Sequence, residues 1–231
     1  MKILQKIKSR IWSHYFKNAR LSFSQSGEDM ILDTIFCDIS NGTYVDVGAN
    51  NPFIQSNTHY FYRKGWQGVN IDALPGSMNL FNKIRPRDIN IEAAISSNET
   101  ELTYYMFKSS FYNTFSDNDI EKIKKVSEFL GSKNIKTIRL ENVFENLNLL
   151  NIEFLSIDVE GLDFDVIKSN NWNKFRPKVI VTEFFSKETE FLGQDKVFNF
   201  LKENGYRYYC SSATNAFYIE NNFFKHRFEN L

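Results

Sequence analysis

Cysteine is nearly absent from this 231-residue chain: Cys37 and Cys210 stand far apart, with no CxxC pair. That usage excludes a disulfide framework, and with three histidines in all it offers no thiolate or imidazole cluster for zinc. A reducing, cytoplasmic setting is the expectation. Net charge is lacking too, since Lys plus Arg and Asp plus Glu are 28 each. No global field therefore favours a nucleic-acid partner. No apolar run approaches the length of a membrane span. Internal repeats and low-complexity tracts are also missing, which removes solenoids and disordered linkers from consideration.

What is present is apolar surface: 42 % of residues are hydrophobic and 16 % aromatic, enough for a large core. The length suits one domain over 22–231, preceded by a basic segment over 1–21. Lys2, Lys6, Lys8, Arg10, Lys17 and Arg20 place six cations and no acid in the first twenty residues. Ile3, Leu4, Ile7, Ile11 and Trp12 recur among them at helical spacing. The segment reads either as an amphipathic helix on a membrane surface or as a terminal helix packed on the domain, and the second reading is preferred. The cations interrupt any secretory h-region.

Beyond that start the pattern alternates. A capped helix follows Ser24 to Asp29, and strands are expected at 43–48, 68–73, 89–95, 153–158 and 178–184. Helices near 55–64, 76–84, 142–149, 162–170 and 195–204 intervene, an order that implies a parallel sheet with crossover helices. Residues 101–107 read as extended and 135–140 as a short strand. The stretch 108–134, with a helix expected at 117–130, reads as an insertion or lid. Runs at 205–211 and 215–220 abut through a turn too short for a crossover and should form an antiparallel hairpin.

Asp46, Asp72, Glu92, Asp158, Glu160 and Glu183 all fall at or near strand ends, where open α/β sheets bind ligands. Each could instead cap a helix or hold loop amides. Their repetition on one edge favours a site. Asp72 lies 26 positions past Asp46, where such folds hold a ribose. The loop after the first strand runs Gly48-Ala-Asn-Asn-Pro52 and lacks the further glycines that let backbone approach a pyrophosphate. A ligand with adenosine but no diphosphate fits this better than a dinucleotide.

Val45-Asp-Val-Gly-Ala-Asn50, Ser56-Asn-Thr58, Gly65-Trp-Gln-Gly68, Asn70-Ile-Asp72, Arg85-Pro-Arg-Asp88, Asn113-Thr-Phe-Ser116 and Ser156-Ile-Asp-Val-Glu-Gly161 occur in this order. Together they resemble the FkbM family of S-adenosylmethionine-dependent methyltransferases. The resemblance implies a Rossmann-like class I methyltransferase fold: a seven-stranded, mostly parallel sheet with an antiparallel last strand and helices on both faces. It implies that Asp46, Gly48 and Asn50 line the methionine end of the cofactor, with Ser56 close by. Asp72 and Ala73 would meet the ribose, and Glu92 and Ala93 the adenine. Gln25, Glu28 and Asp29 correspond to a lead-in segment over the cofactor, or serve as helix caps. Asp158 would stand beside the transferred methyl, with Glu160 on the same side. His59 departs from the family pattern, which has an aromatic residue there. It is a candidate general base, or it packs on its helix.

The family resemblance also implies O-methylation, often of sugar hydroxyls in antibiotics, glycans and surface polysaccharides. The acceptor expected here is a sugar or nucleotide sugar of bacterial surface-glycan assembly. Trp66, Trp172, Tyr104, Tyr105, Phe111 and Tyr112 could stack on it or be core, and Arg85, Arg87 and Lys108 could meet a diphosphate or simply be solvated. Proton removal falls to Asp158, Glu160 or His59, or else Asp158 and Glu183 hold Mg²⁺ or Mn²⁺. An NAD-dependent oxidoreductase and a non-catalytic cofactor-binding subunit are the rival readings, and a homo-oligomer is allowed.

Overall fold

The computed structural model describes residues 19–184, 193 and 195–229. Seven strands form one sheet: β1 (Thr43–Val47), β2 (Gln67–Asp72), β3 (Ile89–Glu92), β7 (Phe154–Ile157), β8 (Val179–Glu183), β9 (Tyr206–Ser211) and β10 (Asn215–Glu220). Their order is β3-β2-β1-β7-β8-β10-β9, with β10 alone running antiparallel to its neighbours. The expected hairpin at the end of the chain is therefore present. It inserts β10 between β8 and β9.

The strands are apolar on both faces because both are covered. Val45, Val47, Val69, Ile71, Leu155, Ile157 and Ile180 pack with α5 (Leu140–Asn146), α6 (Asp163–Lys168) and α7 (Lys196–Glu203). The alternate residues Tyr44, Phe154, Val179, Val181, Phe217 and Ile219 pack with α1 (Glu28–Ile35) and α2 (His59–Arg63). The strand period of two thus assigns residues to layers, while helix spacing supplies the opposing faces. Val197 and Leu201, four apart on α7, are an example, and that helix starts where the Asp195 carboxylate accepts from Phe198 N at 2.8 Å.

Three expectations are corrected. The run 89–95 is broken at Ala93: β3 stays in the main sheet, whereas β4 (Ala94–Ile95) joins a second sheet ordered β4-β6-β5. The helix expected at 117–130 shrinks to α4 (Ile120–Ile123), and from Phe129 the chain is already β6 (Phe129–Ile138), antiparallel to β5 (Glu101–Phe107). Ile120, Ile123 and Val126 have helical spacing, yet none is buried, so no apolar face stabilises a longer helix. The cap before α1 also differs. Gly27, at φ 85°, takes the N-cap position, while the Ser24 hydroxyl donates to Asp29.

A charged pair sits inside the sheet layer. Arg85 and Asp88 meet at 2.8 Å with both side chains wholly buried, and Asp88 also accepts from Tyr44 Oη, Gly68 N and Asn70 Nδ2. Such a pair is tolerated only with its hydrogen bonds filled. Arg85 is therefore unavailable to a diphosphate. The helix α3 (Met78–Ile84) delivers it there, packing Met78 and Phe81 against Ala49.

Candidate active site

The sheet order reverses between β1 and β7, and a cavity of about 900 Å³ opens at their carboxyl ends. That is where an open α/β sheet has room for a ligand. Its floor is made by close approach of the two strand ends. Gly48 sits at φ 85°, and a Cβ there would lie 1.7 Å from the Asp158 carbonyl oxygen. Only glycine closes this gap. Beside it, Asp72 accepts from Asn50 N at 2.8 Å and Leu74 N at 2.7 Å, so one carboxylate ties the first loop to the end of β2. Burial nevertheless raises its pKa, as it does that of Asp46.

The opposite wall is acidic. Asp158, Glu160 and Glu183 each present an oxygen within 4.8 Å of the others. Asp158 is pushed up to about 7 by burial and then by Glu160, Asp163, Asp46 and Glu28. Glu183 rises to about 9 through burial and the charges of Asp158, Asp163 and Glu160, and its Oε2 is buried without a hydrogen-bond partner among the described residues. Glu160 stands exposed at the rim with φ 51°, its carboxyl also raised. Asp163, which the sequence did not single out, accepts from Thr182 Oγ1 at 3.3 Å and lies at about 6 because of burial. Burial and mutual repulsion make joint ionisation of Asp158 and Glu183 costly.

Gln25, Asp46, Gly48, Asn50, Asp72, Ala73, Ala93, Asp158, Glu160 and Glu183 all line the cavity. Four expected residues do not. Asp29 is buried in the lead-in segment and accepts from Ser22 Oγ and Phe23 N, both at 2.6 Å. Ser56 is buried and accepts from His59 N at 3.1 Å. Glu92 is exposed and accepts from Gly76 N at 2.7 Å, whereas its neighbour Ala93 takes the place at the cavity. His59 packs edge-on against Phe23 with ring centres 4.6 Å apart, its pKa lowered by burial and by Arg85 and Arg63. Phe53 stands on another side of its ring, with centres 6.5 Å apart, and His59 is outside the cavity lining.

Of the aromatic candidates, Trp66 and Trp172 are core, while Tyr104, Phe111 and Tyr112 line the cavity. Tyr105 instead bonds Asp117, Arg87 lies 3.9 Å over the Tyr62 ring, and Lys108 pairs with Glu128. Phe111 and Tyr112 belong to a 3₁₀ turn, Ser110–Tyr112, held to the first loop by Ser110 Oγ donating to Asn50 Oδ1 at 2.7 Å. Also missed were Asn57 and Ser211 to Asn215, whose polar groups line the cavity as well. Asn57 had a signal in the Ser56-Asn-Thr58 motif. The hairpin turn had none, because its place depends on Glu28, which accepts from Ser212 Oγ at 2.6 Å and Asn215 Nδ2 at 3.2 Å.

The family model of the methyltransferase FkbM domain matches residues 46–208, more than half of the chain and spanning both cavity walls. The chain belongs to the FkbM methyltransferase family. As an FkbM methyltransferase it uses S-adenosylmethionine, and its sheet has the order and single antiparallel strand of the class I methyltransferase fold. Among solved structures, a TehB-like SAM-dependent methyltransferase from Corynebacterium glutamicum aligns at 8 % identity and TM-score 0.42, over 95 % of this chain and 100 % of that one. The precorrin-6y C5,15-methyltransferase of Geobacter metallireducens aligns at 10 % and 0.40, over 83 % and 85 %. Phosphoethanolamine N-methyltransferase 1 of Haemonchus contortus, solved with phosphoethanolamine and S-adenosylhomocysteine, aligns at 11 % and 0.35, over 94 % and 44 %. No curated protein matches the chain. The cavity residues of this FkbM methyltransferase suit its cofactor: the glycine-free continuation after Gly48 forms no diphosphate cradle, and Asp72 keeps lone pairs for hydroxyl donors. No helix among the described residues is long and apolar enough to cross a membrane. The basic segment's first eighteen residues lie outside the described residues.

Proposed function

We propose that this FkbM methyltransferase methylates a sugar hydroxyl, on a nucleotide sugar or glycan of bacterial surface-polysaccharide assembly. The observation that carries the reading is the acidic wall. A hydroxyl is a poor nucleophile until its proton leaves, and Asp158 at about 7 is poised to take one near neutral pH. Bound S-adenosylmethionine supplies an electrophilic methyl on a sulfonium, transferred by in-line displacement. The chain's part is alignment and proton removal. Asp46, Gly48 and Asn50 would face the methionine end, Asp72 and Ala73 the ribose, and Ala93 the adenine. Phe111 and Tyr112, each 42 % exposed at the cavity mouth, support a sugar acceptor by offering ring faces that bury little else.

A hard divalent cation is a second reading. It is favoured by the Asp158, Glu160 and Glu183 oxygens lying within 4.8 Å of one another, with Glu183 Oε2 lacking a partner among the described residues, an all-oxygen donor set suited to Mg²⁺ or Mn²⁺. The cation would orient the acceptor and acidify its hydroxyl. Incubation with S-adenosylmethionine and a panel of nucleotide sugars, followed by mass spectrometry, tests the main reading: one product should gain a methylene. Cofactor binding with no product across the panel would refute it. Loss of turnover with a chelator, restored by Mg²⁺, would establish the second reading.

A further inference from the structure

Asp46 sits at the end of β1 facing the cavity, and two hydroxyls meet it from inside the protein. Thr58 Oγ1 donates to Asp46 Oδ2 at 2.9 Å. Ser156, its register partner across the β1–β7 ladder, acts on the same carboxyl. A hydroxyl has one hydrogen, and here its direction is dictated from behind. Arg85 Nη1 donates to Thr58 Oγ1 at 2.9 Å, and a guanidinium cannot accept. Ser56 Oγ, 3.2 Å away, accepts from His59 N and can give its own hydrogen to Thr58, so the Thr58 hydrogen goes to Asp46. Asn57 Nδ2 likewise donates to Ser156 Oγ at 3.1 Å, leaving the Ser156 hydrogen free for Asp46. Arg85 itself has no freedom to move: Nε is held by Asp88 at 2.8 Å and Nη2 donates to Tyr44 Oη at 2.7 Å. Neither Arg85 nor Thr58 lines the cavity.

We infer that Arg85 is a positioning residue: through Thr58, with Ser156 assisting, it makes Asp46 an obligate hydrogen-bond acceptor whose free lone pairs face the cavity and select a ligand ammonium. Both relays deliver hydrogens to one carboxylate and none away from it. When ionised, Asp46 recognises a cation and rejects a second carboxylate, so the ligand end it takes carries an amino group. Burial raises the Asp46 pKa overall, and the Arg85 charge with the two hydroxyl bonds limits that rise, so a ligand cation would complete the ionisation. The inference rests on the cofactor reading above, in which the methionine end approaches Asp46.

The test compares two ligands on one variant. S-Adenosylhomocysteine carries the amino-acid end and 5′-methylthioadenosine lacks it. Thr58→Val keeps the shape of the side chain and removes the relay. Calorimetry should show Thr58→Val binding S-adenosylhomocysteine about tenfold more weakly, the loss of one hydrogen bond to a charged group. Its affinity for methylthioadenosine should stay within about twofold of wild type. Thr58→Ser, which restores the hydroxyl, should restore binding. Should Thr58→Val fail to fold, Ser156→Ala removes the second hydroxyl and should show the same ligand-selective loss. Equal weakening for both ligands would reduce the relay to a structural brace and overturn the inference, as would no weakening for S-adenosylhomocysteine. A wild-type protein that binds neither ligand would instead refute the cofactor placement on which the relay depends.

Discussion

Replacing Gly48 by alanine is the most demanding test of the cavity floor. At φ 85° an alanine is forced into the left-handed region, which costs an L-residue about 1–2 kcal/mol. Its Cβ would also lie 1.7 Å from the Asp158 carbonyl oxygen and 3.2 Å from Val159 Cγ1. A backbone oxygen cannot rotate away, so the ends of β1 and β7 must separate, at an overpacking cost of about 1–3 kcal/mol. The expected destabilisation is about 2–5 kcal/mol, a fall in Tm of roughly 4–20 °C for a chain of this size. Gly27 supplies the control, since it has the same φ of 85° but nothing within 4 Å of its Cβ position. Gly27→Ala should show the conformational cost alone. Thermal melts of the two variants then isolate the clash, and calorimetry with S-adenosylhomocysteine should show weakened binding in Gly48→Ala because the floor under the ligand has shifted. Melting temperatures within about 2 °C of each other would show that close approach is not why glycine stands at position 48.

Asp72→Ala frees two loop amides and removes the proposed ribose acceptor, so affinity for S-adenosylhomocysteine should fall by about 1–3 kcal/mol in a titration, and unchanged affinity would take Asp72 out of the site. Asp158 must be ionised to accept a proton, so turnover should rise with pH across about 7. Asp158→Asn should abolish that limb and lower kcat about 10²–10⁴-fold while sparing cofactor affinity, and a variant with wild-type rate at pH 8 would end the base assignment. Burial raises the Asp163 carboxyl to about 6, and burial with mutual repulsion raises the Asp158 and Glu183 pair further, against about 4 in an unfolded chain. The folded state then keeps protons that the unfolded state has lost, so the stability from these groups is complete below about pH 4 and declines as pH rises towards 9. Melting curves of the ligand-free protein should show this decline, Glu183→Gln should flatten it, and a flat wild-type curve would contradict the burial assigned to the acids.

The main sheet was legible because its information is local. Val45 and Val47 alternate with Tyr44 and Asp46 within one strand, and the short turn at Ser211 to Asn215 rules out a crossover without reference to any other residue. Period and loop length thus suffice for element type and for the direction of β10. The helix expected at 117–130 was misread for the converse reason. Its helical spacing at Ile120, Ile123 and Val126 is real, but the stretch has no face to pack against, and Phe129 to Ile138 is recruited by pairing with Glu101 to Phe107. Strand pairing across such a separation has no local signature, so tertiary context overrides spacing.

The site divides along the same line. Strand-end acids could be found one at a time, and Asp46, Asp72, Asp158 and Glu183 reach the cavity because a strand end fixes their direction. Glu92 failed although it is also a strand end, since β3 is the edge strand and Glu92 points to the amide of Gly76 instead. Distance from the switch point separates the two outcomes: acids on β1, β2, β7 and β8 surround the reversal of strand order, and β3 is two strands away from β1. The roles of the groups acting on those acids were not legible, for a different reason. Arg85 reaches Asp46 only through Thr58, and Glu28 fixes the Ser212 turn from 184 residues away. Each of these positions carries an ordinary polar residue whose meaning lies in the direction of one hydrogen bond. A sequence records the identity of the donor but not where it points, and at this site that direction decides which ends of a ligand the carboxylates can accept.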